Sequence, residues 1–360
     1  MYGKKIVLVG WVSLFSVALM FSAMNACAQY TVGVEVGDWA GYGDISFEYA
    51  SNVTGQEDPP EGMNMSWTDV EVLDVSGTNV TCRSTTIYTN GTEQIDIMWG
   101  DVATGEGNIG IGVIPSNLGP GDEIPANLTW FSEEPMRLTI NGTVTRSYAG
   151  ANREVNYVNI TSPVVHENFT LGTQKLFFCW DKETGVICEE SFSYVISYTI
   201  ITTNYYMNMS MLWRMTATNM WPAVFTVHDG YAFNVTMMSN STISNFNFNE
   251  LLKQISFNVT GPTNKTGYCN VSVPDGLLWG EFTVYKDGLL LEEDVDYTET
   301  HNGTHYIFCI NYDLSTHAID IQGTEGIPEI PTWTSMLLIL VLLTVAIAIY
   351  KRKLIKTQIQ

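Results

Sequence analysis

Runs in which apolar and polar residues alternate, each closed by Gly, Asn, Asp or Ser, recur between residues 68 and 203. A period of two sends successive side chains to opposite faces of a pleated strand, whereas a helix needs a period of 3.6. Residues 68–75, 80–88, 136–140, 154–160, 173–180 and 191–203 all follow the rule of two. Little between the two chain ends reads as helix. The expected fold class is therefore all-β, with a larger antiparallel β domain, barrel or half-barrel-like, over residues 29–238. The polar stretch "SNSTISNFNFNE" opens an expected linker over 239–253. After it, residues 254–323 hold about seven short strands separated by turn residues, the spacing of a small immunoglobulin-like β-sandwich.

The chain ends are of another kind. Residues 1–28 carry Lys4 and Lys5, an apolar run and the small-x-small site Ala26-Cys27-Ala28, the layout of a secretory signal peptide. An uncleaved span and a lipid-modified Cys27 are the alternative readings. Residues 333–350 are eighteen uncharged residues flanked by Trp333 and Tyr350 and followed by Lys351, Arg352, Lys353 and Lys356. As a helix this segment rises about 27 Å, close to the hydrocarbon thickness of a bilayer. The basic cluster holds the 351–360 tail in the cytoplasm. The expected protein is thus a single-pass membrane protein of the cell surface, with everything before a short connector at 324–332 outside. The formal net charge is −22, and all 38 acids lie between the terminal segments. So acidic an exported part disfavours nucleic acid as a partner.

Fifteen Asn-x-Ser/Thr triplets lie in the exported part: Asn52, Asn64, Asn79, Asn90, Asn127, Asn141, Asn159, Asn168, Asn208, Asn234, Asn240, Asn258, Asn264, Asn270 and Asn302. They read as acceptors for N-linked glycans. Asn90-Gly91, Asn141-Gly142 and Asn302-Gly303 are also hairpin dipeptides, which tolerate the positive φ of a type I′ turn. In an oxidising compartment cysteines can pair. A four-residue loop at 182–185 would place Cys179 opposite Cys188, Cys269 and Cys309 can tie two strands of the second module, and Cys82 has no partner.

No GxSxG or HExxH is present, no Cys/His group has zinc spacing, and "GEGNIG" lacks the strand and helix that give a dinucleotide motif its meaning. The sequence reads as a non-enzyme without cofactor or metal. Glu292, Glu293, Asp294 and Asp296 lack calcium-loop spacing and read as a solvated strand face. The run "YMNMSMLWRMTATNM" reads as core or, alternatively, as the wall of an adaptable apolar pocket lined by Trp213, Met215 and Trp221.

"PEIPTW" followed by an apolar span and a Lys/Arg cluster resembles the C-terminal sorting signals of archaeal surface proteins, in which a PEF-type motif precedes a processed span. The resemblance makes Pro328, Glu329 and Pro331 the recognised positions and a sorting peptidase a partner; Ile330 stands where an aromatic is usual. "ISFNVTGPTNKTGYCNVSVP" and "THYIFCINYDLSTHAIDIQG" are similar to membrane-proximal β modules of archaeal exported proteins. "VGVEVGDW" and "DKETGV" are like segments of exported proteins with a lipoprotein-carrier-like half barrel. Three functions follow as expectations: an N-glycosylated surface protein with a structural, adhesive or recognition role; an exported binder of an apolar or sugar ligand in a β-barrel cavity; and an exported hydrolase.

Overall fold

The computed structural model describes residues 30–60, 62–109, 112–126, 136–166, 169–200, 203–229, 231–327 and 339–347. The expected signal segment 1–28, the expected sorting motif at Pro328, Glu329 and Pro331, the tail 351–360 and most of the expected 333–350 span lie outside them. A helix, α1, covers 339–347, and no helix of the described residues is long and apolar enough to cross a membrane.

The described residues are otherwise almost all β, built from large antiparallel sheets. The first half contains β1 (Trp39–Ser51), β2 (Met65–Ser76), β3 (Asn79–Tyr88), β4 (Glu93–Asp101), β5 (Glu123–Ala126), β6 (Met136–Thr139), β7 (Gly142–Tyr148), β8 (Ala151–His166), β9 (Phe169–Asp181), β10 (Ile187–Ile200) and β11 (Thr203–Thr218). The second contains β12 (Ala223–Asp229), β13 (Tyr231–Ser239), β14 (Thr242–Asn249), β15 (Gln254–Thr260), β16 (Thr266–Pro274), β17 (Leu278–Lys286), β18 (Leu289–Leu290), β19 (Tyr297–His301), β20 (His305–Asp313) and β21 (Thr316–Gly326).

Nine strands form one sheet in the order β4-β3-β2-β1-β11-β10-β9-β8-β7, and β5 and β6 form a separate hairpin. The outermost strands β4 and β7 do not pair, so the sheet is open. Two cores pack on it. One joins Tyr42, Val72, Val80 and Cys82 to Tyr148, Val155, Cys179, Met215 and Trp221, so the two ends of the sheet share a single interior. The other lies under the β5–β6 hairpin and the loop before it, where Ile114, Leu118, Ile124 and Leu138 cover Val158, Leu176, Phe178 and Trp180. Because Phe178 and Cys179 are consecutive, both faces of β9 are buried here.

The second half is two five-stranded sheets, β12-β13-β16-β20-β19 and β14-β15-β21-β17-β18, enclosing one core that includes Val235, Phe257, Val271, Phe308 and Ile321. This unit starts earlier than its sequence suggests. The expected linker at 239–253 is β14 and its turn into β15, and β12 and β13 also belong to the sandwich. β14 looks like a linker because it is an edge strand whose register breaks between Ser244 and Asn247, leaving polar side chains at solvent. The acidic run at 292–296 is likewise a turn, with Asp296 N–H donating to Glu292 O at 2.9 Å, and not a strand face.

Neither expected disulfide forms, and the register shows why. Trp180 pairs with Ile187 but Cys179 pairs with Glu189, so Cys188 is the extra residue of a β-bulge, not a cross-strand partner. Cys269 pairs with Ile310 and Cys309 with Asn270. The two sulfurs therefore point to opposite faces of one sheet, and all five described cysteines are free thiols. Asn90-Gly91 and Asn302-Gly303 sit at hairpin tips, but Asn141-Gly142 does not turn the chain back. It passes from β6 into β7, with Asn141 N–H donating to Tyr157 O at 3.0 Å.

Candidate functional site

The long strands β1, β11, β10, β9 and β8 carry two chemically different faces. Along β11, Met207, Met209, Met211 and Trp213 alternate with Asn208, Ser210, Leu212 and Arg214. Trp213 pairs with Ile45 and Glu190, Met211 with Phe47 and Phe192, Met209 with Tyr49 and Tyr194, and Met207 with Ser51 and Ile196. One strand further, Glu190 meets Phe178 and Phe192 meets Leu176. Cross-strand partners share a face, so these rows form a continuous Met–aromatic surface. From Trp213 to Met207 it runs about 20 Å at the strand rise of about 3.3 Å per residue. Phe47 stacks on Tyr49 at 6.4 Å, Phe192 on Tyr194 at 6.5 Å and Tyr198 on Tyr205 at 5.2 Å. The rings make flat platforms, and unbranched Met side chains between them repack easily around a guest.

On this surface Phe192 and Ile196 are buried, and Phe47, Tyr49, Tyr194, Met207, Met209 and Met211 are half-buried. Its β8–β9 side lies in the core under the β5–β6 hairpin, but Phe47, Tyr49, Met207, Met209, Met211, Phe192, Tyr194 and Ile196 belong to none of the three hydrophobic clusters of described residues. It also holds unusual polar groups. Three buried side-chain atoms of the described residues lack a hydrogen-bond partner: Ser162 Oγ, Trp180 Nε1 and Trp213 Nε1. All three residues belong to this face, Ser162 opposite Gln174, Trp213 opposite Glu190, and Trp180 two residues along β9 from Phe178. Glu190 is buried, and desolvation pushes its carboxyl up to about 7.

The opposite face carries a polar network whose members satisfy one another. Glu189 accepts hydrogen bonds from Tyr148 Oη at 2.9 Å and Arg214 Nε at 3.2 Å, and Arg214 also pairs with Asp44 at 2.7 Å. Tyr148 Oη lies 3.0 Å from Cys179 Sγ. Burial raises the Cys179 and Cys82 thiols to about 11 and that of Cys188 well above its ordinary value. All three stay protonated near neutral pH and are unsuited to nucleophilic attack. Asp181, fully buried, takes Arg153 Nε at 2.8 Å and also closes the β9–β10 turn through Thr184 N at 2.8 Å.

The three residues expected to line one pocket are separated. Met215 and Trp221 are buried in the core with Tyr42 and Cys179, whereas Trp213 faces the Met–aromatic surface. The reason is the register break next to Met215, where Tyr42 pairs with Met215 but Gly41 with Ala217. Two small hollows, one beside Trp39 and Tyr42 and one beside Trp221 and Met237, offer about 10 and 20 Å³. Either holds about one water molecule and no ligand of the expected kind. Sequence reasoning missed Glu190 and the Phe47–Tyr49 platform, although the acid falls in phase with Phe192, Tyr194 and Ile196. Among the described residues no group of three or more His, Cys, Asp or Glu side chains is placed to hold a metal ion.

Of the fifteen asparagines expected to accept glycans, Asn127 and Asn168 lie outside the described residues. Asn240 and Asn258 are half-buried, and the remaining eleven are exposed. Within the sheet, Asn159 pairs with Phe177 and Asn208 with Ala50 and Val195, which puts both on the polar face. Comparison of the chain with protein-family models, curated proteins and solved structures returns no match.

Proposed function

We propose that the protein is a membrane-anchored, N-glycosylated cell-surface protein that recognises an apolar ligand on the Met–aromatic face of its large sheet. The observation that carries this reading is a half-buried Met–aromatic surface, outside the hydrophobic clusters of the described residues, that holds the orphan indole N–H of Trp213. Buried polar groups are nearly always hydrogen-bonded, so an orphan donor on such a surface calls for a partner, which a bound molecule would supply. The exposed acceptor asparagines support display outside the cell, and Asn159 and Asn208 would carry their sugars on the face opposite the apolar one. In this reading the nine-stranded sheet is a half-barrel, the second unit is an immunoglobulin-like spacer, and residues 333–350 are the anchor beyond it. A sorting peptidase acting at Pro328, Glu329 and Pro331 fits the same topology.

The test is binding of an environment-sensitive apolar dye to the full chain held in lipid nanodiscs. Met209→Glu and Met211→Glu should each weaken binding about tenfold or more, since each buries a charge in the ligand contact. Undiminished dye binding in both variants, with circular dichroism unchanged, refutes the site. Absence of dye binding to the native chain refutes the function.

A further inference from the structure

The sandwich of the second unit has two ends, and the chain leaves for its expected anchor from one of them. β21 finishes at Gly326, paired with Leu278, and Ile327 N–H donates to Leu277 O at 3.1 Å. The turn from β14 into β15 is fixed to this end. Gly323 N–H donates to Lys253 O at 3.0 Å, Lys253 Nζ to Thr324 O at 2.6 Å and Gln322 Nε2 to Leu252 O at 3.0 Å. The β12–β13 tip lies at the same end. β13 runs antiparallel to β16, with Thr236 opposite Ser272 and Ser239 opposite Cys269, so β13 starts beside the last residues of β16. β12 lies over β14, where Phe225 stacks on Phe246 at 4.5 Å, so the two turns share one corner of the sandwich.

This corner is apolar and open to its surroundings. Tyr231 is 80 % exposed, Leu251 78 % and Leu252 52 %. The turns at the opposite end, 240–241, 261–265, 287–288 and 313–315, carry no exposed large apolar side chain. Only residues 328–332 separate Ile327 from the expected span at Trp333, and a chain of that length reaches about 20 Å at most. Moving leucines from water into a bilayer interface recovers the free energy that their exposure forfeits, and a tyrosine ring suits the head-group level. A chain of net charge −22 is not drawn to anionic head groups, so what it offers a membrane is apolar surface.

We propose that Tyr231, Leu251 and Leu252 dip into the head-group layer of the membrane that carries the anchor, giving the sandwich a second contact with the bilayer. The proposal rests on the reading of the chain as membrane-anchored and specifies which corner of the sandwich meets the lipid. The β19–β20 tip with Asn302 is at this end too, since Pro274 pairs with His305. It closes the other edge of its sheet, three strand spacings or about 14 Å from the β12–β13 tip, so a glycan there stands beside the contact and not within it.

The experiment reconstitutes the full chain in phosphatidylcholine vesicles that contain a lipid with a photoactivatable diazirine near the top of its acyl chain. After flotation and illumination, mass spectrometry maps the lipid adducts. Adducts at Tyr231, Leu251 and Leu252 should exceed severalfold those at Leu289 and Leu290, which are 71 % and 64 % exposed on the edge strand β18. Leu251→Glu combined with Leu252→Glu, both in an exposed turn, should keep the fold by circular dichroism and cut the adducts at Tyr231 severalfold. Equal labelling of all four leucines, or Tyr231 labelling that survives in the double variant, overturns the membrane contact. Adducts confined to residues 333–350 overturn it while leaving the anchor standing. A chain that does not float with the vesicles overturns both.

Discussion

Replacing Glu190 by Gln should change stability in a way that depends on pH and has a definite sign. Burial lifts the folded-state carboxyl to about 7 from an ordinary value of 4.5. In the unfolded chain the same group ionises in its ordinary range, so between these values the folded chain holds a proton that the unfolded chain releases. Stability therefore falls as pH rises through the window from 4.5 to about 7. At about 1.4 kcal/mol per pH unit, this interval corresponds to about 3 kcal/mol, fully lost above pH 7. Glutamine resembles the protonated acid in size and polarity but never ionises. Glu190→Gln should then match the native chain at pH 4 within about 0.5 kcal/mol and exceed it by up to about 3 kcal/mol at pH 8. Urea unfolding followed by circular dichroism at both pH values measures this, and subtracting native from variant cancels the other titrating groups. A difference that is constant with pH, or that favours the native acid at pH 8, refutes the placement of Glu190 in a desolvated site.

Three further outcomes test other parts of the structure. Gly185 has φ +79° and a Cβ there would stand 1.9 Å from Ile114 O, so Gly185→Ala should cost about 2 kcal/mol or more in the same urea assay; a neutral result would contradict the turn geometry. Titration with a thiol reagent in denaturant, without reductant, should label Cys82, Cys179, Cys188, Cys269 and Cys309, whereas under native conditions only the half-buried Cys309 should react; missing thiols in denaturant would restore the sequence-based bridges. Glycopeptide mapping should show higher occupancy at Asn234, Asn264 and Asn302 than at half-buried Asn240, whose Nδ2 donates to Thr266 O at 2.9 Å; uniform occupancy would speak against folding before modification.

Strands were legible wherever alternation is strict, because the same period that reads in the sequence sorts side chains onto faces. The runs at 68–75, 80–88 and 173–180 fall inside β2, β3 and β9. The Asn302-Gly303 hairpin tip is legible for a similar local reason, with Gly303 at φ 95°. Partners across the sheet were not legible. Nothing near Cys188 in the sequence signals a bulge, and one extra residue is enough to move it out of reach of Cys179. The Met-rich run is legible as apolar, but the irregularity at Thr216 that separates Met215 and Trp221 from Trp213 is not. Glu190 escaped notice because an acid in a strand ordinarily faces water, and only the register shows that it faces Trp213.

The bulge at Cys188 also governs where the chain can change length. Since Cys188 is supernumerary, removing it would leave Ile187 opposite Trp180 and Glu189 opposite Cys179, with every later rung of β10 still facing its present side. Removing a residue further along, such as Ser193, would instead invert the remainder of the strand and turn Ile196 to water and Val195 inward. A lineage carrying this sheet can therefore absorb a one-codon loss at position 188 and nowhere along the next several rungs, which makes the bulge a safe site for length variation in an otherwise intolerant strand.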